Sequence, residues 1–154
     1  MNADQVLPQV VVGSYPESTE DIDRLKRDFE ITAVLNLHTE EDLDDLNVAW
    51  GVLEDHYRRS AIELRRVPVR DFDRDDLRKN LPECIRSLGE LIGEGHTVYV
   101  HCTAGMGRSP SVVVAYLHWV EQWDLDEAAA HMHRCRPCSP DIEAIRLAGD
   151  DVAR

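Results

Sequence analysis

The sequence has few aromatic residues, few cysteines and no long apolar run. Of its 154 residues, 6% are aromatic and four are cysteines. No stretch approaches the roughly 18 apolar residues that a membrane-spanning helix needs, so no membrane partner is expected. Residues 1–5 lack the basic flank and apolar core of a signal peptide, which favours a cytoplasmic location.

Positive charge is also scarce. The chain has 17 Lys and Arg residues against 30 Asp and Glu residues, a formal net charge of −13. A general nucleic-acid binder needs a basic face, so no nucleic-acid partner is expected, although one local anion pocket is compatible with this balance. The hydrophobic content of 43% is typical of a globular protein. The length predicts a single domain over residues 1–154.

The four cysteines are expected to be reduced thiols, because the sequence shows no secretion signal. Cys135 and Cys138 have the spacing of half a zinc site. The remaining pair, Cys84 and Cys102, is not spaced as the second half. We therefore expect neither a metal nor a cofactor.

Apolar patterns alternate between strand and helix periods along the chain. This alternation predicts an α/β domain with a central, mostly parallel sheet flanked by helices. Segment 52–60 has no clear pattern. Strands are predicted at 9–13, 31–37, 62–69 and 97–101, and helices after 18 and at 39–47, 75–93, 111–122, 125–135 and 141–152.

Segment 101–109 carries the chemistry. A strand ends at His101, a loop with Gly105 and Gly107 follows, and a helix is predicted soon after Ser109. Glycines let successive backbone N–H groups turn inward, and a helix N-terminus adds its own free N–H groups. The loop is thus predicted to be an anion cradle the size of one phosphate. Its phosphate-binding residues would be Thr103, Ala104, Gly105, Met106, Gly107 and Arg108.

Cys102 stands at one lip of this cradle and Arg108 at the other. A cysteine attacks as its thiolate, a form that converging N–H dipoles and a guanidinium favour. Arg108 can pair with two phosphate oxygens, and the Ser109 hydroxyl can stabilise the departing thiolate. A buried core cysteine and an ordinary strand-to-helix turn are the alternatives. The joint pattern His-Cys-x5-Arg-Ser is more specific than either, and it favours phosphoryl transfer.

This segment resembles the signature of the cysteine-dependent protein tyrosine phosphatase superfamily, and the short chain resembles its dual-specificity branch. The resemblance implies a domain of that fold and a general acid about thirty residues upstream. Asp71 precedes Cys102 by 31 residues and is assigned that role, with Asp73 as the competitor. Asp75 and Asp76 are expected to cap the following helix. His101 is expected to support the loop through hydrogen bonds.

The pattern Cys102-x-Ala104-Gly105-x-Gly107-Arg108 is similar to the loop of glucan phosphatases, the group that contains laforin and the plant starch-excess phosphatases. Further similarity runs from about residue 6 to the end of the chain. It implies a metal-independent phosphatase that removes phosphate monoesters from phosphorylated glucan through a phosphocysteine. The alternatives are a dual-specificity protein phosphatase acting on phospho-Tyr, phospho-Ser or phospho-Thr, and a phosphate-recognising domain without turnover. The uncharged loop interior makes a phosphoinositide substrate less favourable.

Sugar recognition uses aromatic side chains as platforms. Phe72, next to Asp71 on a polar loop, is the best candidate for a substrate contact, and Trp50 and Tyr57 are weaker ones. The sequence departs from the group in two ways. Aromatics are absent near Asp45, and Ser139 stands where a bulky aromatic can occur. No separate carbohydrate-binding module is expected, so glucan contacts would come from the catalytic domain itself.

Overall fold

The computed structural model describes residues 1–153. These residues form five strands and seven helices in one layered α/β arrangement. The strands are β1 Ala3–Leu7, β2 Val10–Gly13, β3 Ala33–Asn36, β4 Glu63–Arg66 and β5 Val98–His101. The helices are α1 Thr19–Phe29, α2 Glu40–Asp45, α3 Trp50–Arg59, α4 Arg74–Gly93, α5 Arg108–Trp119, α6 Leu125–Cys135 and α7 Ile142–Val152.

The sheet has the strand order β1-β2-β5-β3-β4. β1 pairs with β2 in antiparallel fashion and the remaining neighbours are parallel, which confirms the predicted fold class. His101 lies opposite Gly13 on one side and Asn36 on the other. Because parallel strands end at the same edge, the segments that follow β2, β3 and β5 come together there.

Alternating residues of the central strands supply two hydrophobic clusters, one on each face of the sheet. Val10, Val12, Val98 and Val100 point to the face that α4, α5, α6 and α7 cover. The opposite face carries a smaller cluster beneath α1 and α3, formed by Val11, Ile22, Leu25, Ile31, Val34, Leu53, Tyr57, Ile62 and Tyr99. Both faces of the sheet are therefore buried, which accounts for the apolar runs of its central strands.

Two elements were not predicted. β1 has a single buried residue, Val6, so it shows no apolar alternation, and it forms because the edge of β2 offers backbone partners. α3 carries only Leu53 and Tyr57 as buried residues and has no side chain that caps its N-terminus. Packing on the sheet, rather than local signals, accounts for both elements. None of the helices within residues 1–153 has the length and apolar character needed to cross a bilayer.

The end of β2 leaves no room for a side chain at Gly13. A Cβ there would meet the backbone oxygen of Asn2 and the hydroxyl of Tyr99. We expect Gly13→Ala to lower the free energy of unfolding by about 1–3 kcal/mol, because backbone must move to admit the methyl group. Urea denaturation followed by circular dichroism measures this change.

The matched control is Gly51→Ala, inside α3, where a Cβ would meet nothing within 4 Å. It is expected to raise stability by about 0.5–1 kcal/mol through helix propensity. A Gly13→Ala variant as stable as the wild type would contradict the close approach of β1 to β2.

Candidate active site

The cradle predicted from the sequence forms at the carboxyl edge of the sheet. β5 ends at His101, the loop runs through residues 102–107, and Gly107 is the N-cap of α5. Cys102 is buried, and it opens on a cavity of about 620 Å³. The wall of the cavity is formed by loop residues, the segment before α4 and the segment before α7, including Asp71, Phe72, Leu77, Ala104, Met106, Arg108, Ser139 and Asp141.

Five successive carbonyl oxygens of the loop accept hydrogen bonds from groups outside the loop. The donors come from widely separated parts of the chain. They are His101 Nδ1 to Cys102 O (3.0 Å), Tyr15 N to Thr103 O (3.0 Å), Arg136 Nη2 to Ala104 O (2.8 Å), Arg136 Nε to Gly105 O (2.7 Å) and Ser139 N to Met106 O (2.7 Å).

The N–H and C=O groups of a trans peptide point in opposite directions. With the carbonyl oxygens of residues 102–106 held outward, the N–H groups of residues 103–107 face the other way. None of these five N–H groups donates to another group within residues 1–153. Together with the first turn of α5, they form the concentration of donors that an oxyanion requires.

Two side chains approach Cys102 directly. Its Sγ lies 3.2 Å from the Oγ of Ser109, which is fully buried in the first turn of α5. The His101 ring must donate through Nδ1, because a carbonyl oxygen can only accept. Burial lowers the pKa of His101 to about 3, so its ring is neutral. His101 therefore orders the loop and carries no charge to the thiol.

Arg108 is buried at the base of the cavity, where acceptors surround its guanidinium. Nη1 donates to Asp42 Oδ2 and to Val69 O, both at 2.7 Å, and Nη2 donates to Thr103 Oγ1 at 3.1 Å. Asp71 Oδ2 lies 3.4 Å from Nη2. These contacts place the guanidinium between the loop and the predicted acid.

Asp42 was not identified from the sequence as a residue of this site. It belongs to the capping box of α2, in which it exchanges hydrogen bonds with Thr39. Burial alone would raise the pKa of Asp42, but its hydrogen bonds with Arg108 and Thr39 hold that pKa below the usual carboxyl value. The acidic run around residue 42 looks like an exposed helix, and nothing in its spacing points to an arginine 66 residues away.

The two candidate acids have different surroundings. Asp73 is the N-cap of α4, and its Oδ1 accepts from the N–H of Asp76 at 3.0 Å. The predicted caps Asp75 and Asp76 instead lie in the first turn of the helix. Asp71 precedes the helix, half-exposed, and holds only the N–H of Phe72 and the Arg108 contact. Both acids line the cavity, and Asp71 is the one whose carboxyl group contacts Arg108.

Phe72 lies fully exposed beside Asp71 on the cavity wall. Its φ of 56° is left-handed, a conformation that costs energy for a bulky residue. The ring buries no surface that would offset this strain, and the substrate contact stays a prediction.

The other two aromatic candidates need correction. Tyr57 is only 1% exposed and belongs to the cluster under α1 and α3, so it is not available to a substrate. Trp50 is half-buried against the same cluster, with the Arg66 guanidinium 4.9 Å above its ring. Neither residue lines the cavity around Cys102. Both residues belong to α3, a helix that the sequence did not predict, so their burial against the sheet was not expected.

Metal-ligating side chains gather elsewhere. Within residues 1–153, one group with suitable spacing is Glu63, Glu94 and His96 on the surface beside β4. Both carboxylates already pair with Arg65, at 3.8 Å and 3.3 Å. The sequence pair Cys135 and Cys138 does not belong to such a group.

Comparison with known proteins agrees with this geometry. Residues 10–146 match the family model described as "Dual specificity phosphatase, catalytic domain". The chain belongs to this family. Family membership confirms the predicted fold and the predicted class of cysteine-dependent phosphatase.

Curated relatives include phosphoglucan phosphatases. The chain is 36% identical to "Phosphoglucan phosphatase DSP4, amyloplastic" of Castanea sativa, over 99% of this chain and 41% of that protein. It is 30% identical to laforin of Mus musculus, over all of this chain and 50% of that protein. It thus spans half or less of the length of these relatives.

Solved structures share the fold. The crystal structure of PTPMT1 superposes with a TM-score of 0.77 and 24% identity, covering 99% of this chain and 98% of that chain. Tk-PTP in the active form has a TM-score of 0.78 and 25% identity, covering 97% and 95%. These matches extend over nearly the whole chain.

Acid is expected to destabilise the protein through two buried histidines. Burial is the main cause that lowers the pKa of His38 to about 4 and that of His101 to about 3. The unfolded chain takes up protons at these sites below about pH 6.5, whereas the folded chain does not. Stability is therefore complete above pH 6.5 and falls toward pH 4, by about 1–2 kcal/mol per histidine at pH 5. Urea denaturation at pH 7 and pH 5 measures the difference.

His38→Gln is expected to reduce this loss. His133→Gln, an exposed control on α6, should leave it unchanged. Asp42, with its depressed pKa, stays ionised over this range and does not contribute. Equal wild-type stability at pH 5 and pH 7 would contradict the neutral, buried state of the two rings.

Proposed function

We propose that this protein hydrolyses phosphate monoesters through a phosphocysteine on Cys102, with phosphorylated glucan as its substrate. The observation that carries the proposal is the set of five unpaired N–H groups that surround a buried Cys102. Such groups match the equatorial oxygens of a transferring phosphoryl group, and they need no reorganisation during the reaction. The glucan assignment is supported by relatives named as phosphoglucan phosphatases, which align over nearly the whole chain.

In the first step, the Cys102 thiolate attacks phosphorus. The S–P bond forms while the bond between phosphorus and the ester oxygen breaks. Asp71 donates its proton to that oxygen, which leaves as an alcohol. Arg108 balances the charge on the phosphoryl oxygens. Its Nε, buried and without an acceptor within residues 1–153, is a donor that a phosphate oxygen would satisfy.

In the second step, water attacks phosphorus and the S–P bond breaks. Asp71, now a carboxylate, takes the proton from water, and phosphate is released. The electron pair returns to Cys102 Sγ, where the Ser109 hydroxyl at 3.2 Å can donate to the thiolate. The cycle requires no metal or cofactor, because each proton and each charge has a partner among these side chains.

The cavity fits a single phosphate on a neutral body better than a polyanion. The loop interior from Thr103 to Gly107 carries no charged side chain. The wall carries three arginines, Arg70, Arg74 and Arg108, and three aspartates, Asp71, Asp73 and Asp141, so it has no excess of positive charge. Phe72 presents an exposed ring next to Asp71, where a sugar face would lie once its phosphate is seated over Cys102.

The mechanism predicts distinct effects for the nucleophile and the acid. Cys102→Ser is expected to abolish turnover. Asp71→Asn should lower kcat on an alkyl phosphate by about 100-fold, and much less on 4-nitrophenyl phosphate, whose leaving group needs no proton. Phosphate release under saturating substrate measures both effects.

The matched control is Asp75→Asn, an exposed carboxylate in the first turn of α4 that lies outside the cavity wall. It should retain wild-type rates. Normal turnover by Cys102→Ser would exclude the phosphocysteine. A larger loss in Asp73→Asn than in Asp71→Asn would assign the acid to Asp73 instead.

The substrate is tested by comparing phosphate release from phosphorylated amylopectin with release from phosphotyrosine, phosphoserine and phosphothreonine peptides. We expect amylopectin to be preferred. Phe72→Ala should lower kcat/KM on amylopectin about tenfold, with little change on 4-nitrophenyl phosphate, because it removes a sugar contact and leaves the cradle intact. Val120→Ala, another exposed apolar residue, is the control.

If only the peptides and the aryl phosphate release phosphate, the substrate is a phosphoprotein and the glucan assignment is wrong. That rival has support in a second group of relatives, which includes "Protein phosphatase Slingshot" of Drosophila melanogaster, 33% identical over 60% of this chain and 9% of that protein. If no substrate releases phosphate, the protein is a phosphate-recognising domain without turnover.

A further inference from the structure

Arg136 is a buried arginine that the chemistry above does not use. It is the C-cap residue of α6 and is 4% exposed. Its guanidinium lies behind the loop, on the side away from the cavity wall. It donates four hydrogen bonds, to Gly105 O at 2.7 Å, Ala104 O at 2.8 Å, Asn2 Oδ1 at 2.5 Å and Asp4 Oδ2 at 3.1 Å.

Two of these bonds determine the direction of adjacent peptide groups. The carbonyl of Ala104 shares its peptide plane with the N–H of Gly105, and the carbonyl of Gly105 shares one with the N–H of Met106. Because each peptide is trans, drawing both oxygens toward Arg136 turns both N–H groups toward the cavity. No other side chain among the described residues holds two of the loop's carbonyl oxygens.

Arg136 supplies the side-chain hydrogen bonds to this part of the loop, which otherwise packs against the backbone of Gly13. Gly105 has a φ of 70°, a conformation that glycine adopts without preference over others. The remaining outward carbonyls are held by one donor each, either a backbone N–H or the His101 ring. The centre of the cradle therefore depends on Arg136.

The guanidinium is itself held from behind by Asn2, which precedes β1, and by Asp4 within β1. Asn2 and Asp4 supply a neutral and a charged acceptor on the side opposite the loop. A planar guanidinium can serve both sets of acceptors at once, whereas a lysine ammonium on a flexible stem cannot. The Arg136 side chain therefore links β1, a strand with little sequence signal, to the phosphate-binding loop.

We propose that Arg136 is a positioning residue that aims the N–H groups of Gly105 and Met106 at the transferring phosphoryl group, with Asn2 and Asp4 holding it in place. This inference rests on the proposed phosphatase function. The competing explanation is that Arg136 only ties α6 and β1 together. Both explanations predict lower stability when Arg136 is changed, but only positioning predicts a loss of oxyanion affinity in a folded protein.

The experiment measures tungstate binding by calorimetry in the Cys102→Ser background, and kcat with 4-nitrophenyl phosphate in the native background. Tungstate mimics phosphate and tests the cradle without turnover. Arg136→Lys keeps the charge but not the planar set of donors. Asn2→Ala with Asp4→Asn leaves Arg136 in place and removes its support. This second variant changes half-exposed or exposed side chains, so it is expected to fold.

Arg136→Lys is expected to bind tungstate about tenfold more weakly and to lower kcat by about tenfold to a hundredfold, since misdirected oxyanion donors are costly in rate. The double variant should show a smaller loss in the same direction. Arg134→Ala, which changes an exposed arginine on α6, and Ile22→Val, a mildly destabilising change at a buried residue of α1, should retain wild-type affinity and rate.

Wild-type tungstate affinity and kcat in the folded variants would overturn the proposal and leave Arg136 a structural tie. If Arg136→Lys does not fold, the double variant decides by the same criterion. Tungstate binding by a wild type that releases no phosphate would refute the proposed function alone, and the affinities would still test Arg136. No tungstate binding by the wild type would refute both.

Discussion

The site depends on the hydrogen bonds that hold five consecutive carbonyl oxygens of the phosphate-binding loop away from the cavity. A glycine-rich loop has many conformations of similar energy, and only those with converging N–H groups bind an oxyanion. The fold selects one of them with donors from Tyr15 after β2, Arg136 after α6 and Ser139 before α7. The sheet places β2 beside β5, so the first of these donors follows directly from strand order.

Charge is organised by the same arrangement. A chain with net charge −13 still presents a donor-lined cavity, because the N–H groups and Arg108 are concentrated in one place while the acids are spread over the surface. Two of those acids, Asp42 and Asp71, face Arg108 from different segments. Asp42 holds the guanidinium, and Asp71 lies beside it on the cavity wall, where we propose that it acts as the acid.

Much of this could be predicted from local patterns. The segment from His101 to Ser109 is contiguous, so its strand and glycines are visible without a structure, although α5 begins at Arg108, three residues before its predicted start. Helices with buried stripes, such as α4 and α6, were predicted to within about one residue of their bounds. β1 and α3 were not, because Val6 alone, or Leu53 with Tyr57, makes no periodic pattern. Tyr57 was misassigned for the same reason, since only packing shows which aromatic is buried.

The sequence by itself determined the fold class and the nucleophile segment, because both rest on patterns that are local along the chain. Only the tertiary structure decided what holds these groups. Asp42 is 66 residues from Arg108, and Arg136 is 31 residues from Gly105. An isolated arginine or aspartate in a charged chain carries no periodic or spacing signal. Its partner is chosen by the arrangement of strands and helices, which brings distant side chains within hydrogen-bonding distance.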